Sequence, residues 1–313
     1  MPRTIDIFTV GNVINTLSFI VVALYAFLRQ RDLHRTTKNS YLLIYAIIGF
    51  SLFFASINLF RMVYEGAEEN QSLFTTYLDT ITQFSGIFIQ SGLILVLFAS
   101  KIAIKPRSYP ACIIAIGAHP DDIEIAAGAA LAKMRDAGYN ISGLILTRGE
   151  KGGDGTIRPF EARRGAKFLG LDTVQVMDFS DTHLSADVIE ITNVIEQMIA
   201  KIQPDIIFTH SIHDFHQDHQ TVYEATMRAA RNTRTTILCY ESPSATQDFH
   251  PTYFIDVDKY VEVKVQAVRG HWDQRKKPYM KADLVRGKMA FRGGQAKVDY
   301  AEGFEVVRMV SAI

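Results

Sequence analysis

Three long apolar runs dominate the first hundred positions of the chain. They extend over residues 7–28, 41–64 and 84–104, and none carries a charge near its centre. Each run is about 20 residues long, which is enough for a helix to cross the roughly 30 Å of hydrocarbon in a bilayer. The pattern predicts a membrane domain of three transmembrane helices in residues 1–108, with the lipid bilayer as its partner.

The charges that flank these runs predict how the chain is oriented in a membrane. The loop between the first two runs is basic, and so is the segment after the third, through Arg29, Arg31, Arg35, Lys38, Lys101, Lys105 and Arg107. The loop between the second and third runs is acidic instead. Because short basic loops stay on the cytoplasmic side, we expect the N-terminus outside and all residues after Arg107 in the cytoplasm.

From residue 109 onward the apolar runs become short and alternate with helical patterns. Strands are predicted at 111–117, 141–147, 174–179, 206–209 and 236–240, and helices at 123–137, 159–169, 186–202 and 220–232. This alternation is typical of α/β proteins in which helices cover both faces of a sheet. We therefore predict a Rossmann-like, doubly wound, mostly parallel sheet in residues 109–313. Its last seventy residues indicate a further strand, a helix near 263–271 and an irregular tail.

Two clusters of His and Asp follow predicted strands of this sheet. Ala118-His119-Pro120-Asp121-Asp122 comes after the first strand, and Thr209-His210-Ser211-Ile212-His213-Asp214-Phe215-His216-Gln217-Asp218-His219 comes with the end of the fourth. In a doubly wound order the first and fourth strands are commonly neighbours at the crevice where ligands bind. We expect the two clusters to face one another.

The residue types in these clusters suit a catalytic metal. A catalytic zinc takes three protein ligands from His and carboxylates and leaves a fourth position open. His119 and Asp122 are separated by a turn at Pro120, so both can reach one ion, and His219 can complete the set. Asp121 is then placed to act as general base and His216 to stabilise the oxyanion. Spacing alone leaves open which of His210, His213, His216 and His219 binds the ion.

The order AHPDD and then HQDH resembles the PIG-L/LmbE family of zinc-dependent N-deacetylases. The resemblance covers residues 111 to about 304. Further segments resemble the family as well, namely Leu146-Thr147-x-Gly149-Glu150, Arg158-x-x-Glu161, Phe168-Leu169-Gly170 and Tyr300-Ala301-Glu302. The resemblance to this family implies Zn²⁺, or another divalent metal, bound by His119, Asp122 and His219. It also implies Asp121 as the general base and His216 as the partner of the tetrahedral intermediate.

The resemblance also implies two substrate-binding residues, Arg158 and His271. Arg158 matches a position that holds substrate hydroxyls or acetate, but it is equally able to pair with Glu161 at the start of its helix. His271 lies in a segment similar to the family's, and either reaches the active site or lies at the surface. Asp218 is expected to orient His219 or a neighbour. The glycine-rich loop at residues 151–155 lacks the spacing of a phosphate-binding P-loop and is interpreted as an active-site loop.

Charge and cysteine content exclude several other classes of protein. Lys plus Arg and Asp plus Glu are 33 each, so the chain has no basic excess and nucleic acid is not an expected partner. Its only cysteines, Cys112 and Cys239, lie in separate predicted strands and are interpreted as core residues. A membrane-tethered nucleotide-binding sensor is the main alternative, but it requires a glycine turn after the first strand, where this chain has adjacent carboxylates. A homo-oligomer is compatible with the sequence.

The sequence therefore predicts a membrane-anchored, metal-dependent hydrolase that removes the N-acetyl group from an N-acetylglucosamine conjugate. The short linker between the membrane domain and the sheet keeps the active site near the bilayer, which favours a lipid-linked substrate on the cytoplasmic face. The alternative is a tethered deacetylase whose substrates are soluble conjugates of N-acetylglucosamine.

The predicted orientation can be tested with a reporter fused after Ile313. Because the basic loops lie on the cytoplasmic side, a fluorescent reporter that needs the cytoplasm should be active and a reporter that needs export should be silent. The same pair of reporters fused before the first run serves as the control and should give the reverse pattern. Activity of the exported reporter at the C-terminus would contradict the orientation.

Overall fold

The computed structural model describes residues 7–33, 40–65, 91–92, 94 and 111–310. The chain divides into two compact units, Met1–Ala103 and Ile104–Ile313. Each unit is described by itself.

The described part of the first unit is helical. Its helices are α1 (Ile7–Leu28), the short α2 (Gln30–Leu33) and α3 (Ser40–Glu65). A small buried cluster joins α1 to α3 and consists of Val22, Ala26, Leu33, Ile44 and Ile47. The two helices are therefore packed as a pair through a narrow apolar seam, while most of their large apolar side chains stay exposed.

The structure describes residues of all three predicted membrane spans, but to different extents. Within the described residues, one helical stretch, Tyr41–Phe60 of α3, is long and apolar enough to cross a membrane by length and composition. The apolar stretch of α1, Val13–Leu28, is shorter. The third predicted span, 84–104, lies outside the described residues except for 91–92 and 94.

The second unit is built around a seven-stranded sheet. The strands are β1 (Cys112–Gly117), β2 (Asn140–Thr147), β3 (Thr173–Phe179), β4 (Ile206–His210), β5 (Thr236–Tyr240), β6 (Tyr253–Asp256) and β7 (Ala301–Arg308). Their order is β3-β2-β1-β4-β5-β7-β6. The pairings among β1 to β5 are parallel, whereas β7 pairs antiparallel with β5 and β6. The predicted mostly parallel α/β sheet is confirmed.

Helices cover both faces of this sheet. They are α4 (Asp122–Asp136), α5 (Arg158–Leu169), α6 (Val188–Ile202), α7 (Gln217–Ala229), α8 (Val261–Arg269) and α9 (Ala282–Ala296). Because side chains alternate across a strand, Ile113 and Ala115 of β1 face a core that includes residues of α4, α5 and α8. Ile114 and Ile116 face the second core, which includes residues of α6 and α7.

Several predicted boundaries are wrong, and two of the differences affect the site. The helix predicted at 220–232 begins earlier, as α7, because the side chain of His216 accepts a hydrogen bond from Asp218 N and caps it. His219 therefore lies in the first turn of a helix. The segment expected to be an irregular tail contains α9 and β7, whose weak periodicity gave no sequence signal.

The sheet order positions the two His and Asp clusters. Strands β1 and β4 are paired in parallel, with Ile113 opposite Ile206 and Ala115 opposite Phe208. Since connections turn to opposite sides of the sheet at this pair, a crevice opens beyond the carboxyl ends of both strands. The expectation that the clusters face one another is confirmed by the contacts between them.

Candidate active site

The first cluster forms a tight turn between β1 and α4. His119 N donates a hydrogen bond to Asp122 Oδ2 at 2.7 Å, which fixes the carboxylate beside the end of the strand. Gly117 allows a close approach here, because a Cβ at this position would lie 3.1 Å from Asp122 Cβ, tighter than most contacts of a Cβ atom. Asp121 has φ of 125°, a conformation that favours glycine and is strained for an aspartate. Asp121 occupies the N-cap position of α4, but its side chain makes no capping hydrogen bond.

The second cluster is placed by the end of β4 and the start of α7. Asp214 contacts two of its histidines. Asp214 Oδ1 accepts a hydrogen bond from His216 N at 2.8 Å, and Asp214 Oδ2 lies 2.9 Å from His219 Nδ1. Ser242 and Ser244, which follow β5, hydrogen-bond to the same carboxylate. A carboxylate bonded to Nδ1 of a histidine fixes the ring's orientation and leaves Nε2 free to bind a metal.

The two clusters meet at the carboxylate of Asp122. Asp122 Oδ1 lies 3.5 Å from His219 Nε2, and Asp122 Oδ2 lies 3.5 Å from His119 Nδ1. The rings of His210 and His219 stack with centroids 3.8 Å apart, and His210 Nε2 is 3.1 Å from Asp122 Oδ2. Three imidazoles therefore converge on one carboxylate.

Three groups of side chains among the described residues have donor atoms close enough to hold a metal ion. They are His119, Asp122 and His219; His119, His216 and Asp218; and His210, Asp214 and His219. The cavity at this edge of the sheet measures about 370 Å³. Of the three groups, only the first has every member on the cavity wall. A catalytic metal must keep a position open to substrate, so this group fits a catalytic ion best.

The charges of the site also fit a cation. Burial opposes a charge on the His219 ring, yet the carboxylates of Asp122 and Asp214 raise its pKa to about 9. Burial and the neighbouring His219 lower the pKa of His210 to about 4. Buried carboxylates of this kind need a positive partner. Protons on the imidazoles fill that need here, and a divalent ion with neutral imidazole ligands would fill it equally well.

His119 is held by two further carboxylates. Its Nε2 lies 3.0 Å from Asp181 Oδ1 and 3.2 Å from Asp218 Oδ2. Asp218 also accepts from Thr182 N and Leu184 N, which anchors it to the segment after β3. Asp218 was expected to orient His219 or a neighbouring residue, and it contacts His119. His219 is contacted by Asp214 instead.

Arg158 lies on the cavity wall and contacts the candidate general base. Its Nη2 donates to Asp121 Oδ1 at 3.2 Å and to Pro120 O at 3.0 Å. The alternative of a pair with Glu161 is wrong, because Glu161 accepts from Trp272 N and Asp273 N instead. Burial raises the pKa of Asp121 to about 6, although Arg158 opposes the shift. A pKa in this range suits a general base that works near neutral pH.

His216 and His271 have different surroundings. His216 lines the cavity, and its ring stacks on His219 with centroids 4.6 Å apart. His271 is fully buried, with Nε2 3.6 Å from Glu124 Oε1, and is not on the cavity wall. A surface role for His271 is therefore wrong. Its contact with Glu124 lies behind the turn that carries Asp121.

Several residues of the site were missed in the sequence. Asp181 follows the end of β3, and its place at a strand's carboxyl end was the signal that could have found it. Asp214 lies within the second cluster but was given no role. Lys277 and Tyr279 reach the cavity from the segment before α9, where no motif marks them. The loop at 151–155 does contribute Lys151 and Gly152 to the wall.

Comparison with known proteins gives a family match. Residues 114–230 match the family model described as PIG-L: GlcNAc-PI de-N-acetylase. The matched segment contains both clusters and ends just after α7, so it includes His119, Asp121, Asp122, His216 and His219.

Curated relatives and solved structures agree with that match. The uncharacterized deacetylase YaiS of Escherichia coli K12 is 39% identical over 166 residues, which cover 51% of this chain and 89% of that protein. Diacetylchitobiose deacetylase of Thermococcus kodakarensis is 29% identical over 227 residues, 62% of this chain and 82% of that protein. The conserved protein TT1542 of Thermus thermophilus has the same fold, with a TM-score of 0.58 and 24% identity over 64% of this chain and 96% of its own.

Ligand and base can be separated by two substitutions next to each other in space. His219→Ala should remove most bound metal and all activity, because it deletes one of three donors. Asp121→Asn should keep the metal and lower kcat by about 10²–10⁴, the loss expected for one general base. Metal content and activity are measured on the same purified samples, with the surface variant His183→Ala as control. Loss of metal in Asp121→Asn, or its retention in His219→Ala, would show the roles to be misassigned.

Proposed function

Because the chain belongs to the PIG-L family of deacetylases, we propose that it hydrolyses the N-acetyl group of an N-acetylglucosamine conjugate in a zinc-dependent reaction. The observation that carries the proposal is the cavity of about 370 Å³, which has His119, Asp122 and His219 on its wall together with Asp121 and His216. Removal of acetyl from a sugar also agrees with the relatives, one named as a deacetylase and another as a diacetylchitobiose deacetylase.

His119, Asp122 and His219 would hold the metal. Two imidazoles and one carboxylate form an open set of the kind that catalytic zinc uses, so zinc is the expected ion. An ion at this position supplies Lewis acidity, which polarises an amide carbonyl and lowers the pKa of water. Asp214 and Asp218 keep the two imidazoles in place by contacts to Nδ1 of His219 and Nε2 of His119.

Asp121 is proposed to accept the proton of the attacking water. Arg158 donates to Oδ1 of this carboxylate, so Oδ2 would be the oxygen that takes the proton. With its pKa near 6, Asp121 is mostly ionised at neutral pH and is still basic enough to take a proton. The protonated carboxyl then returns that proton to the amine as the C–N bond breaks, so acetate and a free amine leave.

His216 is proposed to stabilise the oxygen of the tetrahedral intermediate as a neutral ring. Its Nδ1 accepts a hydrogen bond from Asp218 N at the start of α7, so Nε2 carries the hydrogen. Burial and the nearby rings of His219 and His119 lower the pKa of His216, which favours the neutral form. A neutral Nε2–H donor can contact the oxyanion without adding a charged group beside the proposed metal site.

The substrate is proposed to be lipid-linked and to be reached from the cytoplasmic face of a membrane. The apolar stretch Tyr41–Phe60 and the basic segments around the predicted spans support a membrane-bound enzyme. An anchored enzyme has no advantage for a freely diffusing sugar, whereas it gains effective concentration for a substrate embedded in the same bilayer. A soluble conjugate is the competing substrate.

The two substrate classes can be compared directly with the full chain in membranes. N-acetylglucosamine on an inositol phospholipid, the same sugar on a polyprenyl phosphate and a soluble methyl glycoside are supplied, and released acetate is measured. We expect one of the lipid-linked conjugates to have a kcat/KM at least about tenfold above the soluble glycoside. The Asp121→Asn chain in the same membranes corrects for background hydrolysis. Equal turnover of soluble and lipid-linked conjugates would refute the lipid-linked substrate.

A further inference from the structure

A second cavity adjoins the one that contains the proposed metal site. It measures about 310 Å³ and shares three wall residues with the first cavity, Ile125, Pro243 and Tyr279. Each cavity alone is near the lower end of the roughly 300–1,000 Å³ that small-ligand sites occupy. The pair therefore suits a ligand of two parts, one on either side of the shared wall.

The walls of the second cavity combine apolar and basic side chains. Leu284 and Val285 of α9 contribute the apolar part, and the ammonium groups of Lys264 and Lys288 contribute the charge. No role in the proposed hydrolysis uses these lysines. A lysine is rarely buried unless it has a negative partner. The partners of Lys264 and Lys288 therefore determine which ligand charge the cavity can bind.

Lys264 is neutralised within the protein. Its Nζ donates to Glu302 Oε1 at 2.6 Å, and both groups are buried. Glu302 accepts in addition from Ala129 N and Ala130 N of α4. This pair is complete, and it leaves no net charge to attract a ligand.

Lys288 is not neutralised in the same way. Its Nζ donates to the carbonyl oxygens of Glu241 and Ser242, both at 3.0 Å, which uses two of its three N–H donors. The carboxylate oxygen Glu241 Oε1 lies 3.6 Å away, which is within ion-pair distance but beyond hydrogen-bond distance. Glu241 Oε2 accepts instead from Arg292 Nε at 2.8 Å. Lys264, Lys288 and Arg292 carry three positive charges, whereas Glu302 and Glu241 carry two negative charges. One positive charge at the cavity wall is therefore left over.

The pKa of Lys288 agrees with an excess of one positive charge among these groups. Burial, with the neighbouring cations Lys264 and Arg292 acting against Glu241, lowers the pKa of Lys288 to about 8. A lysine whose charge is disfavoured in this way is stabilised when an anion binds beside it.

We propose that the second cavity is a subsite for a phosphodiester joined to the sugar whose amide lies at His119, Asp122 and His219. One phosphodiester carries one negative charge, which matches the single charge left over at Lys288. The apolar wall at Leu284 and Val285 accommodates the ester group beyond the phosphate. The subsite rests on the proposed function in one respect, namely that the N-acetyl sugar binds at the proposed metal site. A phospholipid headgroup and a soluble sugar phosphodiester share this chemistry.

Binding without turnover tests the subsite. The full chain carrying Asp121→Asn is titrated in detergent by calorimetry with methyl N-acetylglucosaminide, with N-acetylglucosamine 1-(methyl phosphate) and with the same phosphodiester on diacylglycerol. We expect the phosphodiesters to bind roughly tenfold tighter than the neutral glycoside, the effect of one charge-assisted hydrogen bond at a half-buried lysine. A preference in the diacylglycerol arm alone identifies a lipid headgroup as the source, and a preference in both arms admits soluble diesters.

Adding Lys288→Gln should abolish that preference and leave the Kd of the neutral glycoside unchanged. Lys288→Arg should retain it, and Lys201→Gln, on the exposed side of α6, should not affect it. Equal affinity for neutral and phosphorylated ligands, or a preference that survives Lys288→Gln in folded protein, would overturn the subsite. Because no acetate release is measured, failure of the proposed deacetylation would not produce either result.

Discussion

The carboxylate of Asp122 is the group on which the rest of the catalytic unit depends. It is fixed by the amide of His119 at the end of β1, and it lies within 3.5 Å of nitrogens from His119, His210 and His219. A buried carboxylate is tolerated only with positive or hydrogen-bonding partners. The parallel pairing of β1 with β4 supplies those partners, because it brings the end of one strand against the end of the other.

The surrounding residues are arranged to keep this geometry. Asp214 and Asp218 hold the imidazoles on either side, and each is itself fixed by backbone amides or serine hydroxyls. Arg158 contacts Asp121, which has a strained backbone conformation next to the candidate metal ligands. Strain of this kind is maintained only when the neighbouring contacts over-determine it. The side chains proposed as ligands and base are therefore held in place without a substrate.

Much of this could be predicted from the sequence, and the limits have physical causes. The buried strands of the sheet appear as short apolar runs, and His119, Asp121, Asp122 and His219 stand out as polar residues at strand ends. The tautomer of His216 could not be predicted, because it depends on a capping hydrogen bond formed only in the folded turn. The same holds for Lys288 and Tyr279, since tertiary packing alone brings the segment around α9 to the cavities.

We propose that one divalent ion at His119, Asp122 and His219 is required for deacetylation. The most direct measurement follows metal content and acetate release on the same purified sample of the full chain, before chelation, after chelation and after zinc is restored. We expect about one ion per chain, loss of acetate release in step with loss of the ion, and recovery with zinc. Acetate release that persists at full rate after the ion has been removed would contradict it.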